Sequence, residues 1–309
     1  MPNKVIAVVV TFNRLDKLKT CLAAIKSHAP QADILVVDNA STDGTGEWLA
    51  SQVSEPQVNV LTEEKNVGGA GGFSDGMRWG VAHGYEFVWI MDDDCFVCEQ
   101  TLPQLLHADE VLGGDYGWLS SLALWRNGKT CKMNRQVLDK LEKQLFDDYG
   151  HLLQHSINKS YQATFVSLFV RSSIIREVGL PIKEFFIWGD DVEYTRRIAI
   201  RHGKSSYLVG ASTVLHDMNS NTGSNIATDG HDRIGRYSYA YRNEGYLWRH
   251  EGAWGVCHFI AKCGYNIFKI LAFAKDKRLT RCWVVIKNAV KGLLFFHPQV
   301  EFPEAAAEN

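Results

Sequence analysis

Three consecutive aspartates, Asp92, Asp93 and Asp94, close the apolar run FVWIM at Phe87–Met91. Like charges side by side repel, and an ionised carboxylate near a core is costly unless a cation neutralises it. Asp92 and Asp94 stand two residues apart, so at the fraying end of a strand both reach one ion while Asp93 points elsewhere. A hard cation held by one or two carboxylates, with its other positions left to waters and phosphates, is how Mg2+ or Mn2+ sits beside a nucleotide. The plain alternative is a solvated acidic turn or a helix cap.

Other residues carry chemistry of the same kind. In FFIWGDDVEYTRR, Phe185–Arg197, aromatic residues lead into Asp190 and Asp191. In the first turn of a helix these would simply favour its dipole; at a cleft edge one is a general base, with Trp188 as an apolar wall. His216 follows the run TVL, and a lone histidine is usually structural; beside two aspartates already holding a metal, it is a third ligand. Asp38-Asn39 offers a carboxylate to a pyrimidine N–H, and with Ser41, Thr42, Asp43 and Gly44 it also makes a turn and helix cap. NVGGAGGFSDGM, Asn66–Met77, puts four glycines in five residues before a helix, where backbone can approach a ligand and offer N–H groups to phosphate. Cys95 and Cys98 form one C-x-x-C pair with no second pair to complete a zinc site, so they read as packed cysteines.

These residues need strands to carry them. Val5–Val10, Ile34–Val37, Val58–Leu61 and Phe87–Met91 are apolar runs, and between the first two Leu15, Leu18, Leu22 and Ile25 recur at helical spacing. Strands alternating with helices imply crossover units and a mainly parallel sheet. In such a sheet ligands lie beyond the carboxyl ends of the strands, where this chain places TFNR, DNASTDGTG, NVGGAGGF and DDD. A dinucleotide fingerprint belongs after the first strand, where TFNR stands instead, so a nicotinamide or flavin enzyme is disfavoured. Further strands are expected in WLSSLAL, ATFVSLFV and Ser206–Val214, and a helix over Gly189–His202 closed by Gly203. SNTGSNIATDG reads as a linker, followed by aromatic and basic helical stretches.

A chain of 309 residues with 46% hydrophobic and 22% charged residues and a net charge of -2 has the composition of a folded globular protein and no general nucleic-acid-binding surface. The first apolar run is too short for a membrane span and lacks a signal-peptide layout, and seven scattered cysteines suit a reduced compartment, so cytoplasmic residence is the expectation.

In order, VVVTFNR, VVDNASTDGT, N-x-GG-x-GG, DDD, WGDDVEY and a late histidine resemble the inverting nucleotide-sugar glycosyltransferases of family 2 with the GT-A fold, and N-x-GGAGGF with W-x-DD-x-E is similar to the bacterial branch of galactofuranosyl- and rhamnosyltransferases. The resemblance covers about the first 220 residues. It implies an α/β fold, a GT-A catalytic domain over 1–220 and a helical C-terminal region over 221–309. It assigns Thr11, Asn13, Arg14 and Asp38 to the nucleoside pocket, with Asn66 and Gly69 near it and Asp93 on the donor's ribose or sugar. It makes Asp92, Asp94 and His216 ligands of Mn2+ or Mg2+, Asp191 the base of a single inverting displacement, and Trp188, Asp190 and Glu193 the acceptor side. The donor would be linked to uridine or thymidine diphosphate, with galactofuranose ahead of rhamnose. The acceptor would be a glycan or lipid-linked hydroxyl in bacterial surface polysaccharide synthesis, such as O-antigen or capsule, with one or a few sugars added because the chain lacks the extra domains of the polymerases. A nucleotidyltransferase, a sugar-nucleotide phosphatase and a non-catalytic sugar-nucleotide-binding protein are the alternatives. Between Arg233 and Lys291 aromatic and aliphatic residues mix with many more Lys and Arg than acids. That pattern suits helices on an anionic membrane surface, and equally a packed helical subdomain or a homo-oligomer interface.

Overall fold

Val5–Val10 is β-branched or small and apolar throughout, and every residue of it is buried. It forms β1 (Val5–Thr11), followed by α1 (Leu15–His28), β2 (Ala32–Asp38), α2 (Thr45–Gln52), β3 (Val58–Thr62), α3 (Gly68–Ala82) and β4 (Phe87–Asp92). The computed structural model describes residues 4–52, 55–134, 136–138 and 147–303; the outer ends of the expected units 1–220 and 221–309 lie outside them. β2 and β4 flank β1, both parallel to it, and β3 lies outside β2. The chain thus winds outward on one side of β1 and returns on the other, and the gap between β1 and β4 is a topological switch point. Register aligns Thr11, Asp38 and Thr62 across three strand ends and sets Asp92 opposite Val10.

The second half is mixed. It contributes β5 (Cys95–Val97), α4 (Thr101–Val111), β6 (Leu119–Leu124), β7 (Val137–Leu138), α5 (Asp147–Gln154), β8 (Ile157–Gln162), β9 (Leu168–Arg171), α6 (Ser172–Val178), α7 (Asp190–Arg196) and β10 (Tyr207–His216). The ten strands run β3-β2-β1-β4-β9-β6-β10-β8-β7, with β5 antiparallel on β10. Two expected elements are shorter than their patterns. In ATFVSLFV only Leu168–Arg171 is strand, because Ser167 has φ 60° and turns the chain. The helix after Gly189 is α-helical only to Arg196, then continues as a π-turn over Arg197–Arg201 before Gly203, φ 65°.

The glycines of α3 have a packing role that the sequence reading missed. A Cβ on Gly72, Gly76 or Gly80 would lie 2.7, 2.3 or 2.8 Å from a methyl of Val10, Val8 or Ile6. The helix period of four thus runs along the strand period of two, and the glycine stripe lets α3 sit almost directly on β1. After β10 the chain forms α8 (Tyr237–Arg249), α9 (Gly252–Phe273) and α10 (Arg278–Val290). These helices share a core containing Tyr241, Phe259, Ile270 and Val285, and meet the sheet body where Phe185, Tyr246 and Phe296 pack together.

Candidate functional site

β4 delivers Asp92 to its last position, the following turn carries Asp93 and Asp94, and β10 ends at His216, paired with Cys95 of β5. One ligand atom from each of Asp92, Asp94 and His216 lies within 4.8 Å of the others. His216 Nε2 is 3.2 Å from Asp94 Oδ1, and its Nδ1 is 2.7 Å from Asn134 Oδ1, whose amide nitrogen donates to Thr164 Oγ1. The Asn134 oxygen fixes the Nδ1 side of the ring and so turns its Nε2 edge toward the carboxylates. Burial pushes the Asp92 carboxyl well above its ordinary range, and the neighbouring Asp94 adds to the push. Asp94 is also penalised by burial, yet the hydrogen bond and charge of His216 hold it below its ordinary range. One charge is thus firmly held at Asp94 while Asp92 resists ionisation beside it. Two carboxylates and an oriented imidazole converging on one point are a donor set that fits a divalent cation.

Arg14, placed by the sequence in the nucleoside pocket, reaches this cluster: its Nη1 is 3.1 Å from Asp93 Oδ1 and 3.0 Å from Asp94 Oδ2. Part of the positive charge that the three aspartates require comes from the chain itself. Asp93 is buried and also accepts the Thr11 hydroxyl at 2.8 Å, so these two engage each other beneath the site. Asp38 is buried and accepts the Ser41 N–H; Asn13, at φ 53°, accepts the Thr42 N–H. Asn66 accepts the Gly68 N–H, and Asn39 spans the same loop by accepting from Val67 and donating to the Gly68 carbonyl. With the Ala70 N–H donated to Phe186, most of the N–H groups expected to cradle phosphate at the start of α3 already have protein partners. Gly68, at φ 77°, is also held against Phe186: a Cβ there would meet its carbonyl oxygen at 2.1 Å. Gly69 remains on the cleft wall.

Trp188 lies in, and Asp191 in the first turn of α7 directly after, a tight loop in which Phe186 and Trp188 have φ 64° and 63°, rare for residues with a Cβ. Asn243 of α8, fully buried, donates from Nδ2 to the carbonyls of Phe185, Ile187 and Trp188 at 3.0, 3.2 and 2.7 Å. Burial raises both Asp190 and Asp191; repulsion from Asp191 raises Asp190 further, whereas the Val192 N–H moderates Asp191. Glu193 is not brought to the cleft. Its carboxylate is buried against Arg197 Nε at 2.9 Å, with Arg201 beyond, because it leaves α7 on the core side, and Arg197 continues to the carbonyls of Val178 and Leu180.

Asp92, Asp94, His216, Gly69, Trp188, Asp190 and Asp191 line one cleft of about 460 Å3, along with Arg14, Arg233 and Arg236. Arg233 and Arg236 lie in the segment read as linker and basic tail, and only folding that segment back over the strand ends shows them as cleft residues. Asn134 and Asn243 gave no periodic or motif signal either. Trp188, Gly189 and Asp191 also line a second cavity of about 330 Å3, reaching Asn243, Glu244 and Trp248 on α8 and Lys262 on α9. All seven cysteines are free, Cys95 buried behind the aspartates and Cys98 exposed.

Residues 6–116 match the family model described as Glycosyl transferase family 2. The chain is 37% identical over 115 residues to the undecaprenyl-phosphate mannosyltransferase of Micrococcus luteus, covering 36% of this chain and 47% of that protein. It is 26% identical over 271 residues to the galactofuranosyltransferase GlfT1 of Mycolicibacterium smegmatis, covering 80% of this chain and 84% of that protein. The chain therefore spans about half of the first relative and most of the second. Among solved structures, the mannosyltransferase PcManGT from Pyrobaculum calidifontis, in complex with GDP-Man and Mn2+, superposes with TM-score 0.55 at 14% identity, over 94% of this chain and 87% of that one.

Proposed function

We propose a donor, an acceptor and a set of catalytic roles for this chain, which belongs to the family 2 glycosyltransferases and has the GT-A fold: it transfers galactofuranose from its uridine diphosphate donor to a hydroxyl of a glycan or lipid-linked acceptor in bacterial surface polysaccharide synthesis. The match to a galactofuranosyltransferase over most of both chains supports the sugar, and the similarity to an undecaprenyl-phosphate mannosyltransferase supports a polyprenol-linked acceptor. Residues 1–220 form the donor-binding catalytic unit and 221–309 the acceptor side. Thr11, Asn13, Asp38, Asn66 and Gly69 surround the nucleoside, directly or by fixing its loops, and Asp93 shapes the donor pocket from beneath.

Asp92, Asp94 and His216 would hold Mn2+ or Mg2+, which when bound neutralises the departing diphosphate. Arg14, Arg233 and Arg236 add cationic groups to the same cleft and favour a diphosphate there. Trp188 walls the acceptor side, with Asp190 behind it. The acceptor oxygen attacks the anomeric carbon from the face opposite the diphosphate; one C–O bond forms as the other breaks, inverting that carbon, and Asp191 takes the hydroxyl proton. An alcohol is too weak an acid to ionise beforehand, so the placement of Asp191 matters more than its basicity.

One observation carries this reading: a single cleft holds the Asp92–Asp94–His216 trio and, beside Trp188, the half-buried Asp191 carboxylate, which makes no ion pair among the described residues. Asp191→Asn should lower transfer by about 10²–10⁴-fold, the usual contribution of a general base, while donor binding with Mn2+ persists. Unchanged transfer by that variant would move the base elsewhere. Turnover with thymidine diphosphate rhamnose or guanosine diphosphate mannose, and none with the galactofuranose donor, would overturn the donor assignment alone.

A further inference from the structure

α9 is the one helix among the described residues long and apolar enough to cross a membrane, yet it lies lengthwise on the protein, with Gly255, Phe259, Cys263 and Ile270 buried against its neighbours. Its opposite side is open. Trp254, Ile260, Tyr265, Phe268 and Leu271 are all exposed, Trp254 at 87%, and at 100° per residue they fall on one uncharged stripe. α10 repeats the pattern: Leu279, Trp283, Ile286 and Val290 are exposed at helical spacing, Leu279 at 82%, with Phe295 at 70% just beyond. Both helices pack on α8 and on each other, so both stripes turn away from their shared core. A soluble surface seldom leaves so much contiguous aromatic and aliphatic area in water.

The charge around the stripes identifies what covers them. Residues 252–295 contain eight Lys and Arg and one acid, Asp276, in a chain whose net charge is -2. Lys275, Lys277 and Arg278 crowd the α9–α10 turn, while Lys287 and Lys291 are exposed beside the α10 stripe. An apolar face carrying tryptophans and fringed by bases matches the depth profile of an anionic bilayer, with rings at the headgroup boundary and cations at the phosphates. A second copy of the chain would bring a +7 segment against another.

We propose that the outer face of α9 and α10 lies in the headgroup layer of an anionic membrane, parallel to its surface. The flank of α9 places Lys262, Asn266 and Lys269 on a cavity of about 650 Å3 that also contains Trp188, so docking by this face brings the acceptor side to the lipid surface. The proposal is independent of the role given to Asp191.

The test is flotation of the full chain with vesicles of phosphatidylcholine alone and of phosphatidylcholine mixed with phosphatidylglycerol, at low and high salt, alongside sedimentation to measure oligomeric state. Binding should require phosphatidylglycerol and fall with salt. Lys275→Gln and Lys277→Gln should each weaken it about fivefold, as expected for one base near an anionic surface. Ile260→Glu with Phe268→Glu and Trp283→Glu should abolish binding while thermal unfolding and hydrolysis of the nucleotide-sugar donor in free solution stay unchanged. Absence of vesicle binding by the wild-type chain, or a dimer that the triple variant dissociates without any lipid binding, overturns the proposal. If the triple variant does not fold, quenching of wild-type tryptophan emission by brominated phosphatidylglycerol decides: quenching lost in Trp254→Phe with Trp283→Phe supports docking, and no quenching refutes it.

Discussion

Among the described residues Asn243 bonds none of Asp92, Asp94 and His216, yet the geometry assigns it the placement of Asp191. Its amide nitrogen carries two protons and serves three carbonyls, those of Phe185, Ile187 and Trp188. The loop so held contains two non-glycine residues at positive φ, at about 1–3 kcal/mol each. Roughly 2–6 kcal/mol of backbone strain therefore opposes the native loop, and the Asn243 carboxamide is the side chain seen bonded to all three carbonyls. Asn243→Leu keeps the volume but removes the donors: the Phe185 carbonyl retains the Ile187 N–H and Arg242 Nη2, while the half-buried carbonyls of Ile187 and Trp188 lose a partner, at up to about 1–3 kcal/mol each if the loop stayed in place. It has no reason to stay: relaxing Phe186 and Trp188 recovers the strain, so the net stability loss should be only about 1–3 kcal/mol, read by chemical denaturation. The relaxed loop carries Trp188 and Asp191 with it, and a displacement near 1 Å at a catalytic group costs about 10²-fold in rate. Transfer kcat should fall by about that factor, while Mn2+ affinity, read by titration calorimetry, stays at the wild-type value because Asp92, Asp94 and His216 hang from β4 and β10. Asn243→Asp should be worse than Leu, since an acceptor-only carboxylate would face three carbonyl oxygens. A folded Asn243→Leu protein with wild-type kcat, or one losing metal affinity and kcat in equal measure, would refute the positioning argument.

Burial raises the Asp191 carboxyl to about 6, and the base form is the ionised one, so transfer should rise with pH to a midpoint no higher than about 6, with a bound cation moving it lower; a pH–rate profile with its ascending limb well above neutrality contradicts the assignment. Glu193→Ala leaves the Arg197 guanidinium buried without its carboxylate, and should cost about 3–5 kcal/mol by denaturation while the kcat of the folded fraction is unchanged, which separates Glu193 from the acceptor side. Gly76→Ala drives a Cβ to 2.3 Å from the Val8 methyl and should lower stability by about 1–3 kcal/mol in spite of alanine's better helix propensity; the double variant with Val8→Ala should recover most of the loss, and an additive double variant would show that the stripe does not pack as described.

The four parallel strands, α1 and the strand-end position of the aspartates were legible because each depends on local pattern: apolar runs of five or six residues, helical spacing between them, and a polar or glycine-rich break after each. The mixed half was less legible. Ser167 ends a run that reads as continuous strand, since the conformation of one residue in the left-handed region leaves no trace in hydrophobic period.

The site divides the same way. Residue type and spacing point to Asp92 and Asp94 sharing one ion and to His216 closing a strand, but Asp92 ends β4 while Asp94 stands in the turn after it, so the turn and not strand alternation brings the two carboxylates together. Which charges lie near that point is a property of distant segments brought together. Arg14 reaches the acidic cluster, Glu193 is held in an ion pair inside the body, and Gly72, Gly76 and Gly80 are the contact surface of α3 on β1. The sequence by itself determined the parallel half of the sheet, the acidic strand end and the charge excess of the tail. Tertiary structure alone decided that Asn134 orients His216, that Asn243 holds the Asp191 loop, and that the apolar stripes of α9 and α10 point outward; each rests on contacts between residues tens of positions apart, whose spacing in the chain carries no periodic signal.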